Sequence, residues 1–248
     1  MKRGILLIDR GSKEQEAAQE LEVICNQVKK KGDYVFANYC FLEVRPPYIE
    51  EGVKESLKNK IDSLTIVPYF LYPGKKVKAA VTQVMKYQAT TDVKFLVTKP
   101  MSMHMTLVRL VENRIKSALE KGESKLSNSK VDVLVIGHGS KDSNAKISIK
   151  YITDELAKVY RNVDYCFLEI EEPNIEQGIK ICKQRDPEVL VVVFYFLHEG
   201  AHVKRDIYTD LTPALEKHKM KQILITQHIG TDEKIVDLII ERAEEVET

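Results

Sequence analysis

The chain has 248 residues, of which 44% are hydrophobic and 30% charged, and this composition is typical of a globular protein with one large domain or two of about 125 residues. No apolar run approaches the ~20 residues of a membrane-spanning helix, and the N-terminus lacks a signal-peptide pattern. We therefore expect a cytoplasmic protein with no membrane or nucleic-acid partner. The four cysteines are scattered without a Cys-x-x-Cys pair, which argues against a zinc ribbon and predicts reduced, mostly buried thiols.

Charge is distributed unevenly along the chain. Residues 1–130 carry 23 Lys and Arg against 15 Asp and Glu, and residues 131–248 carry 15 against 22, so charges of +8 and −7 make up the net charge of +1. Such a division is common on solvated surfaces. It also allows one half to attract an anionic ligand while the other attracts a cation.

Both halves alternate short β-rich runs with longer amphipathic runs. Strands are predicted near 4–9, 34–42, 63–71, 93–98, 131–136, 163–168, 189–197 and 222–227. Helices of the second half are predicted near 142–160, 174–184, 202–217 and 231–245. This order predicts the α/β class, with three-layer αβα domains that each contain a central four-stranded parallel sheet and right-handed crossovers.

The two halves also repeat each other in sequence. The segment Tyr39–Glu43 recurs unchanged as Tyr165–Glu169, and the positions around it keep step. A repeat of this length indicates the duplication of a whole domain. We predict tandem domains at 1–119 and 131–248, joined by a polar linker at 120–130.

Three consecutive strands of the second half end in residues that suit metal chemistry. His138 follows the first strand, Glu169 follows the second, and His202 follows the third after Gly200. Ligands of open parallel sheets bind beyond the carboxyl ends of the strands, so we expect these side chains to meet at one edge. Two imidazoles and a carboxylate can bind a divalent metal with open positions left for a substrate, and they can also accept protons.

Three neighbouring residues are left open as contributors to this site. Asp206 lies four residues after His202 and is a candidate to orient its imidazole, although the helix dipole also favours an acidic residue in a first turn. His198 and Glu199 border the same loop.

The first half has cations at the matching positions. Arg10 and Lys76 stand where the second half has its two histidines, and Glu43 stands where it has its glutamate. Protonated Arg and Lys do not bind metals, but they do bind carboxylates, and Lys75 adds to the patch. The sequence thus predicts a metal site in the second half and an anion-attracting patch in the first.

Three motifs of the second half resemble those of the sirohydrochlorin chelatase family, the class II chelatases that insert a metal into a tetrapyrrole without ATP. They are His138-Gly139-Ser140, Phe167-Leu168-Glu169 and the run from Gly200 through His202 to Asp206-Ile207. The resemblance covers nearly the whole chain as two tandem copies. It implies two chelatase-like domains, of which the first lacks the metal-binding histidines.

This resemblance implies a lyase-type chelatase, a sirohydrochlorin cobaltochelatase or ferrochelatase of cobalamin or siroheme biosynthesis. His138 and His202 would bind the metal and act in catalysis together with Glu169. Substrate contacts are expected from Arg10, Lys75, Lys76, Ser140 and Glu43. The expected partners are the tetrapyrrole and a divalent metal ion, with no cofactor beyond the substrate metal (cobalt, iron or nickel), in a monomer or homodimer.

Two alternatives to this interpretation remain. A non-enzymatic carrier of metal or tetrapyrrole is compatible with a first half that lacks the histidines. An anion- or nucleotide-binding enzyme would use the loop at 137–140 as a phosphate cradle, but the loop lacks the lysine of a Walker motif and the full Gly-x-Gly-x-x-Gly pattern.

Overall fold

The computed structural model describes residues 1–142, 144–198 and 200–247, without the side chains of residues 144, 145 and 201–204. The first half comprises β1 (Arg3–Asp9), α1 (Gln15–Lys31), β2 (Phe36–Phe41), α2 (Ile49–Leu57), β3 (Ser63–Pro68), α3 (Lys75–Met85), β4 (Lys94–Val97) and α4 (Met105–Lys121). The second half comprises β5 (Val131–Gly137), α5 (Asn144–Leu156), β6 (Asn162–Phe167), α6 (Ile175–Gln184), β7 (Val189–Phe194), α7 (Ala201–Lys217), β8 (Ile223–Ile225) and α8 (Glu233–Glu247). None of the helices described is long and apolar enough to cross a lipid bilayer.

Each half contributes one four-stranded parallel sheet. The strand order is β2-β1-β3-β4 in the first and β6-β5-β7-β8 in the second. Register is also conserved between the halves, because Ile8 of β1 pairs with Cys40 and Ile136 of β5 pairs with Cys166. The predicted α/β class with two parallel sheets is therefore confirmed.

Helices cover both faces of each sheet, which explains why the strands are apolar throughout rather than alternating. Successive strand side chains point to opposite faces. In the second sheet, Leu134 and Ile136 pack with α6 and α7 in one core. Val133 and Val135 are equally buried on the opposite face, which α5 covers.

The apolar run of β7 extends beyond the strand itself. The sequence predicts a strand to residue 197, whereas β7 ends at Phe194. Tyr195 and Phe196 are nevertheless buried, so they belong to the core without continuing the ladder. A hydrophobic run reports burial rather than strand pairing, and this is why the predicted strand is too long.

The compact units of the chain differ from the sequence repeats by an exchange of helices. Unit 1 consists of Met1–Thr106 with Thr231–Thr248, and unit 2 consists of Leu107–Gly230. Unit 1 thus takes its last helix, α8, from the second repeat, and unit 2 takes nearly all of α4 from the first. The predicted domains at 1–119 and 131–248 follow the repeat along the sequence, but the units in space do not.

In unit 1, α8 is held against the sheet by a buried carboxylate. Glu247 has a side chain only 5% exposed, and it accepts hydrogen bonds from Arg3 at 2.6 Å, from the hydroxyl of Tyr34 at 3.0 Å and from the hydroxyl of Thr65. At the other end of the helix, Lys31 of α1 contacts Asp237 at 2.5 Å. These contacts join the end of the chain to β1, β3 and α1.

In unit 2, the matching helix α4 is held through backbone oxygens. Arg114 donates to the carbonyl oxygens of His228 and Ile229 at 2.9 and 2.7 Å. Helix α4 continues to Lys121 and therefore occupies the start of the predicted linker at 120–130. The remainder of that segment contains a 3₁₀ turn at Asn128–Lys130.

The four cysteines are buried and carry free thiols, as predicted. Burial raises the pKa of Cys182 to about 12 and raises that of Cys166 further. Thiols with such pKa values stay protonated at neutral pH and are poor metal ligands. The candidate metal ligands of this chain are therefore its imidazoles and carboxylates.

Candidate functional site

The predicted site residues follow adjacent strands at the carboxyl edge of the second sheet. In the order β6-β5-β7-β8, the chain moves to one side of β5 for β6 and to the other side for β7 and β8. Such a reversal of strand order leaves a crevice outside the carboxyl ends of the strands, where ligands bind in open α/β sheets. His138 directly follows β5, and Glu169 lies two residues beyond β6.

His138 and Glu169 form a close pair, as the sequence predicts. Nδ1 of His138 lies 3.3 Å from Oε1 of Glu169, and the side chains are 35% and 56% exposed. The Glu169 amide also donates to the His138 carbonyl oxygen at 3.1 Å. A carboxylate beside Nδ1 favours the tautomer protonated there, which leaves Nε2 as the nitrogen that can bind a metal or accept a proton.

The glycine after this histidine allows the two loops to touch. Gly139 has φ +91°, and a Cβ atom on it would lie 1.9 Å from the carbonyl oxygen of Glu169. The first repeat has the same arrangement, because Gly11 has φ +103° and its Cβ atom would lie 2.1 Å from the carbonyl oxygen of Glu43. A side chain at either position would force the loops apart and would also strain the backbone.

Ser140 lies in a loop whose polar groups already have protein partners. Its amide donates to the carboxylate of Glu171 at 3.0 Å, and its hydroxyl accepts from the amide of Asp142 at 3.0 Å. A phosphate in this loop would meet the negative charge of Glu171, which disfavours the phosphate-cradle interpretation. The predicted contact between Ser140 and substrate stays a prediction.

The backbone of His202 lies in the first turn of α7, directly after the loop that follows β7. Its side chain, like Glu199, lies outside the residues that the structure describes. Within the described part of the chain, no three His, Cys, Asp or Glu side chains form a group able to hold a metal. His198 is half-buried, and Asp206 lies 3.6 Å from Arg205.

At the equivalent edge of unit 1, three charged side chains meet. Glu43 contacts Nε of Arg10 at 2.9 Å through one carboxylate oxygen and Nζ of Lys76 at 2.5 Å through the other. Two cations therefore flank the carboxylate at the positions that correspond to the two histidines of unit 2. The neighbouring Lys75 is exposed in the first turn of α3.

Hydrogen bonds from Lys76 and then from Arg10 lower the pKa of Glu43. Replacing Lys76 with methionine should raise the pKa of Glu43 towards the ordinary value of a glutamate, because this substitution removes the largest cause of the shift. The side-chain carboxyl carbon, followed by NMR over a pH titration, reports that pKa directly. Lys78→Met, which removes an exposed lysine of the same helix, should leave it unchanged, and an equal rise in both variants would contradict this account of the triad.

The lowered pKa of Glu43 also determines in which direction the stability of unit 1 changes with pH. The native form of Glu43 releases its proton more readily than the unfolded form. The triad therefore stabilises unit 1 fully above the unfolded pKa, and this contribution is lost as the pH falls through the folded pKa.

One feature next to the glutamates is missed by the sequence prediction. The amide of Glu171 donates to the carbonyl oxygen of Glu169 at 2.8 Å, and the residue between them, Ile170, has φ +72°. Val44 occupies the same kind of three-residue turn in unit 1, with φ +78°. Positive φ at a β-branched residue is a true outlier and costs about 1–3 kcal/mol. A valine or isoleucine in the sequence predicts extended backbone, so the turn leaves no sequence signal.

Comparison with known proteins agrees with this architecture. The sequence profile of the CbiX family matches residues 4–118 and 132–246, one match for each repeat. A sirohydrochlorin cobaltochelatase of Priestia megaterium is 24% identical over 254 residues, covering 98% of this chain and 79% of the relative. A sirohydrochlorin ferrochelatase of the same organism is 23% identical, covering 95% of this chain and 87% of the relative.

Among solved structures, SirB from Bacillus subtilis with Fe³⁺ superimposes with a TM-score of 0.82 at 22% identity, covering 99% of this chain and 95% of that one. This agreement confirms the chelatase-like fold of both repeats. The two profile matches together span most of the sequence. The chain therefore belongs to the CbiX family.

Proposed function

We propose that this chain inserts a divalent metal ion, cobalt or ferrous iron, into sirohydrochlorin without ATP. The observation that carries the proposal is the approach of Glu169 to Nδ1 of His138 at 3.3 Å, at the edge where the first turn of α7 contains His202. Relatives named as sirohydrochlorin cobaltochelatase and ferrochelatase match nearly the whole chain and support the choice of substrate.

The metal is a substrate of this reaction, so its site has to both bind it and release it. Nε2 of His138 and the imidazole of His202 serve as its ligands. Glu169 orients the first of these rings through Nδ1 and strengthens Nε2 as a donor. Two protein ligands leave open positions for the macrocycle nitrogens, whereas a closed site with four protein ligands would retain its ion.

Metal insertion also releases protons from the macrocycle, and the same groups can accept them. One divalent cation enters the macrocycle and two pyrrole N–H protons leave it. Each of the two imidazoles, on giving up the metal, regains a free lone pair on the ring nitrogen that held it, so the two rings together can accept the two protons. Glu169 stabilises the positive charge that then develops on the His138 ring.

The cations of unit 1 are suited to bind carboxylate groups, such as those that the macrocycle carries. Arg10 and Lys76 are each about half exposed. A guanidinium carries five N–H donors and an ammonium three, so both retain donors for substrate besides those that contact Glu43. Lys75 adds an exposed positive charge, and Ser140 borders the metal ligand in unit 2.

An anaerobic insertion assay tests this function. Metal-free sirohydrochlorin is mixed with the protein and with Co²⁺, Fe²⁺ or Ni²⁺ in turn, and the absorption change of the macrocycle is followed. The expected result is insertion of cobalt or iron well above the spontaneous rate. The set of metals is needed because two imidazoles and a carboxylate accept several divalent ions, and affinity alone does not identify the physiological one.

The carrier alternative gives a different result in the same assay. A carrier binds the macrocycle or the metal, but the absorption change proceeds no faster than without protein. Binding without acceleration, for all three metals, would contradict the proposed chelatase activity.

A further inference from the structure

Ile170 directly follows the site glutamate and is unusual in both exposure and backbone conformation. The residue is 56% exposed, more than any other large hydrophobic residue described except Met1. Its φ of +72° lies in a turn closed by the hydrogen bond from Glu171 to Glu169. Neither burial in the core nor backbone preference accounts for an isoleucine here.

Glycine or asparagine tolerates positive φ far better than isoleucine does. If the turn served only to place Glu169, one of those residues would form it with less strain. The first repeat nevertheless also has a β-branched residue at this position, Val44, which is 46% exposed. Core packing therefore does not explain either side chain, and strain of this kind is typical of functional sites.

The position of the turn indicates what Ile170 contacts. Glu169 lies 3.3 Å from the His138 ring, and consecutive Cα atoms are only ~3.8 Å apart. An aliphatic group in the loop that carries Glu169 cannot add a metal ligand or a proton acceptor. It can cover apolar surface on whatever ligand reaches His138.

We infer that Ile170 binds the flat apolar face of the macrocycle on which His138 and Glu169 act. This inference rests on the proposed function, because it requires a broad planar substrate with charge at its edge. Ile170 is then a contact residue that contributes to substrate affinity, separate from the polar groups that contribute to chemistry.

Two substitutions test the inference by separating backbone strain from apolar contact. Ile170→Asn relieves the strain but removes the apolar surface, whereas Ile170→Val keeps a β-branched apolar side chain like that of Val44. The Kd of metal-free sirohydrochlorin is measured by absorption titration, and kcat for Co²⁺ insertion is measured alongside. Val35→Asn is the control, because Val35 is 46% exposed and lies just before β2, at the opposite end of the sheet from its carboxyl edge.

For Ile170→Asn we expect a Kd about tenfold higher, since roughly 50 Å² of apolar contact is lost. The kcat value and the thermal midpoint should not fall. Ile170→Val and Val35→Asn should bind like the wild type. An unchanged Kd in Ile170→Asn would overturn the inference, as would a lower kcat at unchanged Kd, because Ile170 would then act only by positioning Glu169.

The titration also distinguishes this inference from the proposed function. If the wild type binds the macrocycle without accelerating insertion, the chelatase proposal fails, while a weaker Kd in Ile170→Asn still supports the contact. If the wild type does not bind the macrocycle, both proposals fail.

Discussion

Replacing His138 with alanine should lower kcat for metal insertion about a thousandfold while the protein stays folded. The substitution removes both a metal ligand and a proton acceptor, and general acid–base catalysis alone contributes typically 10²–10⁴-fold. The ring is 35% exposed, so its loss opens no cavity in the core. The measurement is the steady-state rate of Co²⁺ insertion into sirohydrochlorin, together with the thermal midpoint.

His104→Ala provides the matched control for this experiment. His104 also lies beside a carboxylate, since its Nδ1 is 3.5 Å from Glu241, but it belongs to unit 1 and follows no strand that leads to the site. This variant should retain the wild-type kcat. Comparable activity in His138→Ala and the wild type would exclude His138 from the reaction.

Replacing Glu247 with alanine should have the largest effect on stability. The substitution removes the acceptor shared by Arg3, Tyr34 and Thr65 and leaves these donors without it. Removing one partner of a buried ion pair costs about 3–5 kcal/mol. Because Arg3 is partly exposed, we expect the free energy of unfolding to fall by about 3 kcal/mol. The thermal midpoint should fall by about 5–10 °C.

Glu244→Ala is the control for this prediction, because Glu244 lies on the same helix but is exposed. It should change the midpoint by at most ~2 °C, as expected for an exposed side chain. Calorimetric unfolding of the two variants separates the effect of a Glu-to-Ala change in helix propensity from the loss of the buried contact. If both variants had the same midpoint, the docking of α8 on unit 1 through Glu247 would be contradicted.

The sequence predicts the fold well because the repeat and the hydrophobic pattern are both strong signals. Runs such as Val189–Phe194 are apolar throughout, which indicates strands buried on two faces, and the amphipathic runs between them indicate helices. The exchange of α4 and α8 leaves no such signal. The two helices end equivalent repeats with similar patterns, and only long-range contacts such as Arg3 with Glu247 reveal which sheet each one covers.

The sequence also identifies the centre of the candidate site, for a topological reason. Parallel strands bring their carboxyl ends to one edge, so His138 and Glu169 meet although they are 31 residues apart. The pairing of both Arg10 and Lys76 with Glu43 follows from the same geometry. The turn at Ile170 and the contact from Ser140 to Glu171 depend on loop conformation, which hydrophobic periodicity does not report.

The two units carry different side chains at equivalent positions, and one kinetic comparison tests the consequence of this difference most directly. The double variants His138→Ala/His202→Ala and Arg10→Ala/Lys76→Ala change equivalent positions in the two repeats. We expect the first to lose kcat for Co²⁺ insertion into sirohydrochlorin almost completely, and the second to keep kcat. An equal loss of kcat in both would contradict the assignment of catalysis to unit 2.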